Sequence, residues 1–98
     1  MHNNTQRTSG TPTLRHLDLS GNNLTESTAR ALVKALEYSG CRISSLVLSS
    51  NHLGNDGTVT IARALPRFVC LEHLDLSSNN IGNAGISALS RGLRMDST

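Results

Sequence analysis

One pattern, L-x-x-L-x-L-x-x-N-x-L, recurs three times along the chain. It falls at Leu14, Leu17, Leu19, Asn22 and Leu24, then at Ile43, Leu46, Leu48, Asn51 and Leu53, then at Leu71, Leu74, Leu76, Asn79 and Ile81. Successive copies are 29 and 28 residues apart. A period of this length marks one supersecondary unit used repeatedly. Such a unit cannot bury its apolar side alone, so neighbours stack to build a shared core.

Within each copy the period changes. His16-Leu17-Asp18-Leu19-Ser20 alternates, which sends Leu17 and Leu19 one way and the polar residues the other. Ser45-Leu46-Val47-Leu48-Ser49 and His73-Leu74-Asp75-Leu76-Ser77 do the same. Short strands, one per unit and each followed by a helical return, must lie parallel. Asn22, Asn51 and Asn79 follow the strands where the chain bends inward. An amide there can bond backbone groups that the bend leaves unpaired.

The return then reads as helix. Leu32, Ile61 and Leu89 occupy one equivalent position, and Leu36, Leu65 and Leu93 another one turn later. The i, i+4 spacing puts each pair on one helix face, aimed at the strand leucines. Small residues beside them, Ala35, Ala64 and Gly92, are expected to let helix and sheet approach closely. Ser27 and Asp56 are the expected N-caps of the first two helices. Gly40 is a stop for the first helix, and Pro66 ends the second near Leu65.

Length and composition set the scale. With 98 residues there is at most one domain. Tyr38 and Phe68 are the only aromatics, so the core must be aliphatic. A net charge of +2 is too mild to imply nucleic acid. No apolar run approaches the roughly 18 residues of a transmembrane helix. Residues 1–13 are polar and open with no hydrophobic leader. They read as a flexible N-terminal segment ahead of a repeat domain at 14–98, divided as 14–42, 43–70 and 71–98. A cytoplasmic setting follows as the expectation, with the nucleus also open. Cys41 and Cys70 fall at equivalent places in their repeats and read as small buried hydrophobes.

The residues resemble the leucine-rich repeat of the ribonuclease-inhibitor type. The resemblance rests on the period, on Asn51-His52-Leu53-Gly54-Asn55-Asp56-Gly57, and on its echo Asn79-Asn80-Ile81-Gly82-Asn83-Ala84-Gly85. The return Leu65-Pro66-Arg67-Phe68-Val69-Cys70-Leu71 also fits it. The first repeat departs, with Thr25 and Thr28 where the later ones have Gly. The resemblance implies an α/β fold: a right-handed solenoid, a short horseshoe segment with a parallel sheet on the concave side and helices on the convex side. It also implies a non-enzymatic module that binds a protein partner through the concave face, as part of a larger repeat array. Two alternatives are a regulator of an enzyme, such as a GTPase-activating member of the family, and a structural spacer. No residue of this chain matches a catalytic arginine of such an activator.

His16-x-Asp18-x-Ser20 and His73-x-Asp75-x-Ser77 hold the residue types of a hydrolase triad. An extended strand separates His from Ser by roughly 13 Å at Cα, far beyond the ~3 Å that base and nucleophile need. His16 and His73 stand two strand spacings apart, roughly 10 Å, too far to share zinc at bonds of about 2 Å. No catalytic, cofactor or metal residue is therefore assigned. The protein-binding candidates are the outward strand residues His16, Asp18, Ser20, Ser45, Val47, Ser49, His73, Asp75 and Ser77. On the convex side Lys34, Arg63 and Arg91 form a basic row, with Arg30, Arg67 and Arg94 nearby; this reads as a solvated helix face, and nucleic acid is not the expected partner. Neither end of the array carries a polar capping unit. Either a longer solenoid or end-to-end self-association is expected to shield these ends, with marginal stability in isolation.

Overall fold

The structure, a computed structural model, describes residues 14–38 and 42–96, without the side chains of Tyr38 and residues 94–96. The expectations for residues 1–13, Gly40, Cys41 and the Arg94 side chain lie outside that set. Three strand–helix repeats follow one another: β1 (His16–Asp18), α1 (Glu26–Tyr38), β2 (Ser45–Val47), α2 (Gly54–Ala64) with a 3-10 turn at Leu65–Arg67, β3 (His73–Asp75) and α3 (Asn83–Asp96). The strands form one parallel sheet in the order β1-β2-β3. Leu17, Leu46 and Leu74 are in register, as are His16, Ser45 and His73, and Asp18, Val47 and Asp75. The α/β solenoid pattern read from the sequence is the one observed.

Burial follows position in the stack. In the middle repeat Leu46 and Leu48 are fully buried, together with Ile43 and Ile61. Leu17 and Leu19 of the first repeat are only half-buried. Each complete burial of such a side chain contributes about 1.5–3 kcal/mol, so the central repeat carries most of the core. Phe68, buried in the return from α2, is its one aromatic member among the described side chains.

Two helix expectations need correction, while a third holds with a difference in burial: Leu93 lines a cleft with Leu89, Leu74 and Leu76, on the face aimed at the strand leucines. Leu36 and Leu65 are buried, but their equivalent Leu93 is 58 % exposed. Ile86, equivalent to the buried Ala29 and Thr58, is 56 % exposed. These positions are covered by the following repeat, and the described residues end with the third.

Ala64 is buried in the core, whereas Gly92 serves a contact between helices rather than one between helix and sheet. A Cβ added at Gly92 would stand 2.6 Å from the Ala62 carbonyl oxygen on α2, so the absent side chain lets α3 approach the preceding helix. Ala35 has no helix before it among the described residues and is exposed.

Ser27 and Asp56 are not N-caps. α1 starts at Glu26 and α2 at Gly54, which puts both residues inside the first turn. Thr25 precedes α1, its carbonyl accepting the Ala29 N–H at 3.0 Å. Leu53 precedes α2 without a side-chain cap. Asp56 favours α2 instead through its charge near the positive end of the helix dipole. Pro66 acts as expected: the α-helix stops at Ala64 and tightens into the 3-10 turn.

Candidate functional site: the concave face and its asparagine spine

The concave face rests on a row of buried amides. Asn51, 2 % exposed, donates from Nδ2 to the carbonyls of Leu48 (2.9 Å), Leu19 (3.1 Å) and Ser49 (3.2 Å). Its Oδ1 accepts the N–H groups of Asn22 (2.8 Å) and Leu24 (3.0 Å). One side chain thus satisfies the bend of its own repeat and that of the one before. Asn79 does the same one repeat later, donating to Leu48, Leu76 and Ser77 and accepting from Leu53. Asn22 is exposed, and among the described residues its side-chain amide bonds only Leu19 and Ser20 of its own repeat. The role read from the motif therefore holds in full at two of the three asparagines.

Directly after each strand, Gly21, Ser50 and Ser78 all take left-handed backbone, with φ of 68°, 57° and 56°. The bend needs that conformation, and only the first repeat meets it with glycine.

Above this spine the nine candidate residues lie on one outward face, three per repeat. His16, Asp18, Ser20, His73 and Ser77 are exposed; Ser45, Val47, Ser49 and Asp75 are half-buried. Each aspartate closes a local turn onto the next serine. Ser20 donates its N–H (3.0 Å) and hydroxyl (2.7 Å) to Asp18 Oδ1, and Ser77 does so to Asp75 at the same distances. The Ser20 N–H, then its hydroxyl, hold the Asp18 carboxyl below its ordinary range. The Ser77 hydroxyl, then its N–H, lower that of Asp75. At neutral pH both are carboxylates, two strand spacings or roughly 10 Å apart, with Val47 between them in register.

No His–Asp–Ser relay forms along a strand. Ser20 and Ser77 are bonded to their aspartates, while His16 Nδ1 meets Ser45 Oγ across the sheet at 2.8 Å. That cross-strand pair follows from register, which alternation within one strand does not reveal. Among the described residues no group of three or more His, Cys, Asp or Glu side chains is placed to hold a metal ion. Cys70 is a free, half-buried thiol rather than a fully buried one.

Sequence reading missed one connection. Asn55 Oδ1 accepts the N–H groups of Gly82 (2.8 Å) and Gly85 (3.0 Å) in the next repeat. It thereby caps the start of α3 from outside that helix. The signal was available, since Asn83 holds the same place in the third repeat, but caps are ordinarily sought just ahead of their own helix. His52 and Asn23 make a further contact between repeats at 3.1 Å.

Comparison with known proteins agrees with this geometry. A family model described as Leucine Rich repeat matches residues 11–33, 41–62 and 69–90. No curated protein and no solved structure matches the chain. No helix among the described residues is long and apolar enough to cross a membrane.

Proposed function

The chain belongs to the leucine-rich repeat family, whose repeats generally mediate protein–protein interaction, and we propose that it binds a protein partner through its concave sheet. One observation carries the reading: two carboxylates held ionised by serine turns flank the half-buried Val47 on a register-locked surface. Such a surface favours a partner that sets an apolar group over Val47 between two basic side chains. The paired turns fix each carboxylate before binding, so little side-chain freedom is lost when a cation arrives.

Size enters the proposal as well. Three strands span about 10 Å across, and five residues span about 15 Å along. That is well short of the ~800 Å² per partner of a stable interface. The reading is therefore of a module that supplies part of a larger concave surface, extended by further repeats stacked on the outward face of α3.

The test is affinity capture with the wild-type protein against a triple variant, Asp18→Arg, Val47→Arg and Asp75→Arg, with circular dichroism confirming the fold of both. Loss of specific partners from the variant is expected. Equal recovery by the two proteins overturns the concave-face assignment.

A further inference from the structure

A second surface lies on the opposite side. Between α2 and α3 the convex face opens into a groove of about 450 Å³. Its floor includes Val59, Ala62, Ala88 and Gly92, and its rim holds Arg63, Arg67 and Arg91. Small residues, Ala62, Ala88 and Gly92, are buried where the two helices meet at the floor of this groove.

We propose that this groove docks an acidic peptide segment of a partner protein, with one apolar side chain of that segment seated on the floor. Charge complementarity selects this occupant. Among the described residues no carboxylate lines the groove. Arg67 is held at the rim by Glu37, Nε to Oε2 at 2.5 Å. Arg63 and Arg91 are exposed and make no ion pair among the described residues. Arg63 and Arg67 lie about one turn apart, and Arg91 stands across the helix interface, roughly 8–10 Å away. The guanidinium groups of Arg63 and Arg91 can each take a carboxylate in two-point contact. A row of arginines alone is a solvated helix face. The apolar floor between them adds a place for a desolvated anchor, which is where binding energy concentrates.

Nucleic acid fits the same surface less well. A phosphate backbone gives the floor nothing to bury, and Phe68, the one described aromatic side chain, is buried and offers no stacking platform. The site is separate from the concave face, so either proposal can fail alone.

Fluorescence anisotropy tests it with a short labelled peptide of Glu and Asp carrying a central Leu. Saturable binding by wild type is expected. Replacing the peptide's Leu with Ser should weaken it about tenfold. The variant Arg63→Glu with Arg91→Glu, or Arg63→Gln with Arg91→Gln should the first not fold, should lose at least about tenfold. Four results would each overturn the proposal: no saturable binding, equal affinity for the Ser peptide, tighter binding of a single-stranded RNA oligomer, or peptide binding unchanged in a folded arginine variant. Sedimentation showing the groove occupied by a second copy, in an association that the arginine variant abolishes, would also overturn it.

Discussion

Asn22, Asn51 and Asn79 occupy one motif position, yet replacing each with alanine should have three different consequences. In Asn51→Ala the N–H groups of Asn22 and Leu24 lose their acceptor, and the Leu48 and Leu19 carbonyls lose a donor. An orphaned buried group costs about 1–3 kcal/mol. The two N–H groups are only partly enclosed, so water recovers some of the loss, and a total of roughly 2–4 kcal/mol follows. For a chain of this length that lowers Tm by roughly 10–20 °C. Asn79→Ala strands a single N–H, that of Leu53, at 3.2 Å, and should cost less, about 1–3 kcal/mol. Asn22→Ala removes bonds only to exposed carbonyls of its own repeat and should cost below about 1 kcal/mol. Thermal and urea melts of the three variants decide the matter. Equal losses at all three positions, or a loss under about 1 kcal/mol at Asn51, would refute the argument that pairing between repeats sets the cost.

Further outcomes follow from the same structure. Gly92→Ala should cost about 1–3 kcal/mol in denaturant melts, because the new Cβ would press on the backbone of α2 at Ala62, which cannot rotate away. Ser50→Gly and Ser78→Gly should each stabilise by roughly 0.5–1 kcal/mol, the left-handed strain relieved less the added chain entropy of glycine; a loss of stability would contradict the strain. Because the folded carboxyls of Asp18 and Asp75 are depressed, their contribution is present above the unfolded value near 3.8 and is lost as pH falls below it. Tm measured from neutral pH downward should therefore fall less steeply in Asp18→Asn with Asp75→Asn than in wild type.

Most of the fold was legible because period and alternation are local statements. Leu17, Leu46 and Leu74 announce their own strands, and equal spacing puts them side by side. What sequence left open depends on neighbours. Leu93 carries the same signature as Leu36 and Leu65, but no repeat covers it among the described residues. Gly92 reads as a small residue on either face of its helix until the Ala62 carbonyl shows which helix it admits. The nine concave residues were identifiable from alternation alone, whereas the His16–Ser45 contact needed the register. The groove beneath Arg63 and Arg91 required two helices in place; a single helix shows only a basic row.

The amide of Asn55 gives the array a polarity in time. Because it holds the first N–H groups of α3 from the preceding repeat, any excursion that frees the middle segment also unmoors the start of that helix, while fraying confined to α3 leaves the Asn79 bonds to Leu48 and Leu53 in place. Opening should therefore proceed inward from the α3 end. In native-state hydrogen exchange, the Gly85 amide should not outlast those of α2.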